Sequence, residues 1–313
     1  MRICSLVPGA TEVVAALGLA DQLVGISHEC DFPPQLSHVP VMVRARIESR
    51  SLSSAQIDAQ VSTMLSAGEG LYELDERGLL AAKPEVLITQ NLCDVCAITP
   101  TQLTGILRKL APAPRLVTLN PRRLDDILLD IATLGNALGQ AEPATRFLSQ
   151  LRGRLDAVHA RIEKESLRPR VACLEWLSPL YTAGHWVPDM VAAAGGIDAL
   201  AEAGAASHKI DWDVFAASEP DVIVLMPCGF TVARTKMELA SLTSRPEWKD
   251  LPAVRRGQVY LVDALSYFSR PGPRLIDGVE QLAAIFHPAC FNHGLPEAVE
   301  QLTSDDIPTS MTR

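Results

Sequence analysis

The sequence predicts an α/β protein with two doubly wound lobes, joined by a long connecting helix, and a ligand cleft between the lobes. Three observations support this fold class. Short apolar strands alternate with helices in the first and in the last part of the 313-residue chain. A long amphipathic run separates these two series. Chemically unusual residues follow directly after the strands in both series, where open α/β sheets bind their ligands.

The amphipathic run extends from about Pro121 to Ser166. Gly139 and Pro143 divide it into two helices, since glycine commonly ends a helix and proline is tolerated in a first turn. At about 1.5 Å per residue, a helix over Glu142–Ser166 is about 40 Å long, enough to run along two lobes and join them. The alternative is a helix packed within one domain. The apolar stripe consists of Leu124, Ile127, Leu128, Ile131, Leu134, Leu138, Phe147, Leu148, Leu151, Leu155, Val158 and Ile162.

Before this run, apolar segments bounded by glycine and proline predict four strands and three helices. Thr11 is the expected N-cap of the first helix, because a threonine hydroxyl can accept a hydrogen bond from a free backbone N–H. The strands are Arg2–Val7, Leu23–Ser27, Val86–Thr89 and Leu116–Thr118, and the helices are Glu12–Leu17, Ser51–Gly68 and one that ends at Leu79–Lys83.

After the run the same plan repeats. The predicted strands are Val171–Leu174, Asp221–Leu225 and Gln258–Val262, and the predicted helices are Asp189–Ala194 and Leu275–Phe286. We therefore predict four parts of the chain: an N-terminal lobe over residues 1–120, a connecting helical segment over 121–168, a C-terminal lobe over 169–290 and a tail over 291–313.

The composition and the first residues of the chain indicate which partners and which cellular compartment to expect. The net charge of −9 argues against a nucleic-acid surface, which needs clustered lysine and arginine. No apolar run approaches the roughly 20 residues that cross a bilayer, so no membrane insertion is expected. The chain enters a strand directly after Met1, without the apolar core of a secretory leader. These features predict a cytoplasmic protein, or a periplasmic one if a leader has been removed.

Five aromatic side chains fall at strand ends or in nearby loops, in a chain with only 5% aromatic residues. Rings gathered at such positions can stack on a large flat ligand or fill its flank. The alternative is that two or three of them are ordinary core residues. The five ligand-binding candidates are Trp176, Trp186, Phe230, Tyr267 and Phe268.

Three charged or titratable side chains complete the ligand-binding candidates. Arg270 and Arg274 bracket the rigid loop Pro271-Gly272-Pro273, which can direct their guanidinium groups towards amide or phosphate oxygens. The alternative is a pair of surface charges. His185, beside Trp186, is a candidate axial ligand for a metal-centred cofactor, and the alternative is a histidine on a surface loop.

Four of the seven cysteines are candidate metal ligands. Cys93 and Cys96 form a C-x-x-C after an apolar strand, which is a bidentate start for zinc or an iron–sulfur cluster. Cys30 and Cys228 follow other strands and can supply further thiolates. The alternative is a set of reduced cysteines packed beneath loops.

Catalytic motifs are missing from the sequence. It contains no Walker phosphate loop and no G-x-G-x-x-G, which argues against nucleotide binding. It also contains no G-x-S-x-G elbow of a serine hydrolase. We predict no catalytic residue, and the sequence favours a binding protein over an enzyme.

Several of these motifs resemble those of a known family. The opening Ser5-Leu6-Val7-Pro8-Gly9-Ala10-Thr11-Glu12 is similar to the start of the vitamin B12-binding proteins of ABC importers, and the likeness covers about residues 1–290. It implies the helical-backbone class of substrate-binding proteins (class III periplasmic-binding-protein-like), whose two lobes move little. The likeness extends through Gly184-His185-Trp186 and the strand Asp221-Val222-Ile223 to the loop after Val262. The motifs typical of a leaderless, cobalamin-binding branch are His28-Glu29-Cys30-Asp31, Cys93-Asp94-Val95-Cys96-Ala97, Pro227-Cys228-Gly229-Phe230 and Arg270-Pro271-Gly272-Pro273-Arg274.

Two functions from different classes remain open. The first is a binding protein for a corrinoid (cobalamin) or a similar metal chelate, held in the cleft between aromatic walls, with an ABC permease as partner if the protein is exported. The second is a cytoplasmic protein, enzymatic or not, that uses the same fold around a cysteine-ligated zinc or iron–sulfur centre. A siderophore or haem receptor is a further alternative. The extra cysteines and the missing leader depart from the pattern of an importer's receptor.

Overall fold

The computed structural model describes residues 1–92, 98–291 and 294–303. Its first sheet and the helices around that sheet form the N-terminal lobe. The strands are β1 Ile3–Ser5, β2 Leu23–Ser27, β3 Val41–Ala45, β4 Tyr72–Leu74, β5 Val86–Gln90 and β6 Arg115–Leu119, and the helices are α1 Pro8–Ala16, α2 Ser54–Ser66, α3 Glu76–Ala82 and α4 Pro100–Leu107.

The strands of this lobe have the order β4-β3-β2-β1-β5-β6. Only β4 runs antiparallel to its neighbour β3, and the other pairs are parallel. The carboxyl ends of β1, β2, β5 and β6 therefore meet at one edge of the sheet. Strands β3 and β4 were not predicted; β4 has only three residues, with a glutamate at its centre, and the apolar part of β3 is only three residues long.

The first helix begins earlier than the sequence predicts. Pro8 occupies its first turn, where a fixed φ and a missing N–H cost nothing. Thr11 is therefore inside the helix and is not its N-cap, which corrects the expectation. Its hydroxyl instead donates to the Ser5 side chain at 2.8 Å and lies 3.1 Å from the Val7 carbonyl oxygen.

Two consecutive helices, α5 Leu124–Ala137 and α6 Ala141–Ile162, connect the lobes. Helix α6 ends four residues before the predicted Ser166, and at 22 residues it is about 33 Å long. Its Arg154 guanidinium pairs with Asp277 at 2.7 Å and with Glu280 at 2.6 Å on a helix of the C-terminal part. The apolar stripe of α5 is buried, as predicted.

The second sheet and its helices form the C-terminal lobe. Its strand order is β12-β11-β10-β7-β8, with β9 paired to β7. The strands are β7 Arg170–Leu177, β8 Leu180–Thr182, β9 Ile197–Asp198, β10 Val222–Leu225, β11 Val259–Val262 and β12 Val299–Gln301. The helices are α7 Val187–Ala193, α8 Trp212–Ala217, α9 Val232–Lys236, α10 Ala240–Thr243, α11 Pro252–Arg255, α12 Ala264–Tyr267 and α13 Leu275–Phe286.

The predicted fold class is confirmed: two α/β lobes are joined by a long helix. One apolar cluster runs from α1 through α5 and α6 into α7 and α13, so both lobes share a continuous core with the connecting helices. The last strand, β12, lies in the segment expected to be a polar tail and pairs antiparallel with β11. The boundaries given for the four parts of the chain stay a prediction. No helix in the described ranges is both long and apolar enough to cross a membrane.

The lobes touch backbone to backbone where α1 begins. A Cβ atom added to Gly9 would overlap the carbonyl group of Pro271 and approach the Cα of Gly272 to 2.9 Å. Because both neighbours are backbone atoms, they cannot move aside by a change of rotamer. A glycine is therefore required at position 9 for this approach of the two lobes.

The Gly9→Ala substitution tests this contact. We expect it to lower the free energy of unfolding by roughly 1–3 kcal/mol, as overpacking does elsewhere, although alanine favours a helix. The matched control is Gly153→Ala, at an exposed position inside α6 with no atom near the added methyl group. That change should raise the free energy of unfolding by up to about 1 kcal/mol. Urea unfolding measures both, and equal effects of the two substitutions would contradict the close approach.

Candidate functional site

The loops after the parallel strands of the two sheets face each other, and an aromatic pair lies among them. Trp176 near the end of β7 and Phe230 after β10 have ring centroids 5.3 Å apart, with planes inclined at 58°. Phe230 is buried, whereas Trp176 is half-buried. The indole Nε1 of Trp176 donates to the Ser54 carbonyl of the other lobe at 3.2 Å. The structure thus brings together two of the predicted ligand residues at the boundary of the lobes.

Arg270 is an ion-pair residue between the lobes. Its guanidinium is only 7% exposed and pairs with the carboxylate of Asp31, and Nη2 also lies 3.2 Å from Glu29 Oε2. Burial acts to lower the pKa of Arg270, but the carboxylates of Asp31 and Glu29 outweigh it and raise that pKa above its usual value. In this structure the charge of Arg270 is paired within the protein, and its role as a ligand-binding residue stays a prediction.

Arg274 makes a second ion pair across the same boundary. Its Nη2 lies 2.7 Å from Glu12 Oε1, and its guanidinium carbon lies 4.3 Å from the centre of the Phe32 ring and 5.8 Å from that of Tyr267. Burial raises the pKa of Glu12, although Arg274 acts in the opposite direction. Tyr267 is half-buried beside this pair. Both arginines of the loop therefore join the lobes through carboxylates of the N-terminal lobe.

Two of the aromatic candidates are core residues. Trp186 and Phe268 are 6% and 2% exposed and belong to the apolar cluster of α7 and α13. The Trp186 indole Nε1 donates to the backbone carbonyl of Phe268 at 2.8 Å. The structure places both rings in the core, and the hydrogen bond between the two residues joins segments that are 82 residues apart in the sequence.

His185 is half-buried beside Trp186, with ring centroids 5.7 Å apart. Its backbone has a φ of 52°, and its N–H donates to the Ala205 carbonyl at 2.6 Å. Burial, with the nearby charge of Arg122, lowers the pKa of this imidazole. The ring is therefore neutral at neutral pH, which is the protonation state that binds a metal.

The structure describes two of the four cysteines that are candidate metal ligands. Cys30 is buried, with its Sγ 3.1 Å from the Thr11 hydroxyl, and burial raises its pKa to about 11. Cys228 is half-buried after β10, and its N–H donates to the Glu175 carbonyl at 2.9 Å. Cys93 and Cys96 lie outside the described residues. In the ranges that the structure describes, no group of three or more histidine, cysteine or acidic residues is arranged to hold a metal ion. The four-cysteine zinc or iron–sulfur site stays a prediction.

Three further residues at the boundary were not singled out by the sequence. The carboxylate of Glu238 accepts hydrogen bonds from the side chains of Ser54, at 2.8 Å, and Arg234, at 2.7 Å. The spacing of four residues between Arg234, in α9, and Glu238, in the turn after it, was a visible signal for their pair. The contact with Ser54 had no such signal, because 184 residues separate it from Glu238.

Comparison with known sequences and structures identifies similar proteins. A family model described as periplasmic binding protein matches residues 3–265. A vitamin B12-binding protein of Vibrio cholerae serotype O1 is 26% identical over 286 residues, which cover 90% of this chain and 87% of that protein. An uncharacterized ABC transporter substrate-binding lipoprotein of Bacillus subtilis, YvrC, is 22% identical over 298 residues, 93% of this chain and 81% of that one.

A solved structure has the same fold. The periplasmic heme-binding protein RhuT from Roseiflexus sp. RS-1, in apo form, superposes with a TM-score of 0.68 and 23% identity. The superposition covers 92% of this chain and 98% of RhuT. At this identity the likeness concerns the fold alone.

The expectation of a cytoplasmic location is wrong. The matching family model is that of periplasmic binding proteins, and one relative is named as a lipoprotein of an ABC transporter. The expectation rested on the first residues of the chain. Those residues form β1, in the middle of a sheet, and a strand in the core carries no information about the compartment.

The reactivity of Cys30 separates a buried thiol from a metal-bound one. We expect alkylation of Cys30 by iodoacetamide to be at least tenfold slower in native than in unfolded protein, because burial and its raised pKa disfavour the thiolate. Adding a chelator should leave this rate unchanged. Peptide mass spectrometry measures it, with the half-buried Cys290 as internal control. A rate that rises after chelation would instead support bound metal.

Proposed function

Because this chain belongs to the periplasmic binding protein family, we propose that it is the substrate-binding protein of an ABC importer and that its substrate is a corrinoid such as cobalamin. The observation that carries the proposal is the match along nearly the whole chain to a relative named vitamin B12-binding protein. The partner that this function requires is the permease of the importer. The protein then works on the outer side of the membrane that holds this permease.

The aromatic pair supports a large flat substrate. Trp176 and Phe230 lie side by side at the boundary of the lobes, and the half-buried indole offers an apolar face with limited freedom to rearrange. Aromatic side chains bury roughly 150–250 Å² each, so a macrocycle that covers the indole gains binding energy without a new charge. The guanidinium groups of Arg270 and Arg274 are paired within the protein, so the apolar face is the main attraction.

His185 supports a substrate with a metal centre. Its lowered pKa keeps the imidazole neutral at neutral pH, and a neutral imidazole nitrogen can coordinate cobalt or iron. This property favours haem as the second candidate substrate, since a haem iron accepts the same axial ligand. A metal-carrying corrinoid and haem share the flat ring that the aromatic pair suits.

Titration with cyanocobalamin tests the proposal, with tryptophan fluorescence and calorimetry as readouts. We expect saturable binding, and Trp176→Ala should weaken it by about 1 kcal/mol or more, roughly fivefold in Kd, because the stacked ring is lost. Trp212→Ala is the matched control, since Trp212 packs against Phe215 on α8 and should leave Kd unchanged.

Two outcomes contradict the corrinoid proposal. One is the absence of any response up to millimolar cyanocobalamin. The other is equal weakening by the two tryptophan substitutions, which would indicate a general loss of structure. Saturable binding of haem in place of cyanocobalamin would select the second candidate.

A further inference from the structure

Helix α2 is weakly anchored in its own lobe. Of its thirteen residues only Ser54 and Ile57 are buried, and both lie in the first turn. The remaining side chains are exposed or half-exposed. A surface helix normally buries an apolar stripe along its whole length, and this burial supplies most of its stability. The greater part of α2 has no such support.

The first turn of α2 is instead bound to the C-terminal lobe. The Ser54 hydroxyl donates to Glu238 Oε2 at 2.8 Å, and the Ser54 backbone N–H donates to the same oxygen at 3.2 Å. A carboxylate at a helix N-terminus is favoured by the unpaired N–H groups and the dipole of the helix. One turn later, the Tyr181 hydroxyl lies 3.4 Å from Asp58 Oδ1. Ser53 and Gln56 form the capping box of this helix, and Glu238 of the other lobe adds an acceptor for the Ser54 N–H in the same turn.

Glu238 is held in place for this role. Its second oxygen accepts a hydrogen bond from Arg234 Nη1 at 2.7 Å, and Arg234 also donates to the Leu52 carbonyl just before α2. The Arg234 guanidinium lies over the Phe230 ring, 4.5 Å from its centre. The same few residues thus join the start of α2 to one member of the aromatic pair.

The start of α2 borders the other member as well. The Ser54 carbonyl accepts the hydrogen bond of the Trp176 indole at 3.2 Å, so the first turn of the helix lies at the Nε1 edge of that ring. The ring is half-buried in this arrangement, and displacement of the start of α2 would widen the approach to its faces.

We propose that residues 49–66, which comprise α2 and the turn before it, are a lid over Trp176 and Phe230, and that Glu238 is the residue that holds this lid shut. The proposal rests on the proposed function, because it takes the aromatic pair as the place where the ligand stacks. The lid opens when the polar bonds across the boundary break, and Glu238 accepts two of them from Ser54. Since these bonds are polar and most of α2 buries no apolar surface, opening leaves the core of each lobe intact.

Hydrogen exchange of the free protein tests the lid without any ligand. In Glu238→Ala, the backbone amides of residues 55–66 should exchange at least tenfold faster than in the wild type, whereas those of α5 should not change. Ser54→Ala removes only the hydroxyl donor and should give a smaller increase. Glu238→Gln keeps an acceptor for Ser54 and should fall between the wild type and Glu238→Ala. Glu247→Ala, an exposed glutamate of the same lobe, is the matched control.

Binding kinetics provide a second test of the lid. With cyanocobalamin as probe, stopped-flow fluorescence should give association and dissociation rate constants that are both at least threefold higher in Glu238→Ala than in Glu247→Ala, because the lid blocks entry and slows release. If the amides of α2 exchange at the wild-type rate in Glu238→Ala, or if both rate constants are unchanged, the lid proposal is contradicted. If cyanocobalamin does not bind to any variant while the amides of α2 exchange faster in Glu238→Ala, the proposed substrate is contradicted and the lid proposal is supported.

Discussion

A buried guanidinium group joins the two lobes. Arg270 belongs to the C-terminal lobe, but the carboxylates of Asp31 and Glu29 that neutralise it belong to the N-terminal lobe. Removal of one partner would leave a buried charge without compensation, which is destabilising by about 3–5 kcal/mol. The Arg274–Glu12 pair and the backbone contact of Gly9 lie along the same boundary. The geometry of the cleft depends on this seam, which we define as the contacts of Gly9, Glu12, Glu29 and Asp31 with the 270–274 loop.

The seam and the shared core leave one part of the boundary free to move. Helices α5 and α6 pack into a single apolar cluster with both lobes, so a hinge between the lobes would have to break that packing. The hydrogen bonds that join α2 to the other lobe are different, since they lie within its first two turns. A ligand can therefore enter by displacement of a local element, while the spacing of the lobes is kept. A cleft that is largely formed before the ligand arrives avoids the cost of ordering on binding.

The sequence predicted those helices and strands whose local pattern of apolar residues determines their structure. The bounds of α13 and β2 agree with the structure to the residue, because an apolar pattern with clear ends defines each of them. Strand β12 was not predicted, since its three residues form a strand by pairing with β11 and have no distinctive pattern of their own. The rule that ligand residues follow parallel strands brought Trp176 and Phe230 to one place, but it could not separate them from Trp186. Burial of Trp186 is decided by α7 and α13, whose packing no local pattern reveals.

Charged residues show more clearly that local sequence cannot predict contacts between distant residues. An arginine after a strand at a lobe boundary suits an anionic ligand and an internal carboxylate equally well, and its own neighbours in the sequence do not distinguish the two. Here 239 residues separate Arg270 from Asp31, so only the fold reveals the pair. In the seam, two guanidinium groups face three carboxylates, and the imidazole of His28 lies 3.2 Å from Glu29 and lowers the pKa of that carboxyl. The charges of this seam are thus largely balanced within the protein, and selection of the ligand falls to the aromatic pair and to the helix that covers it.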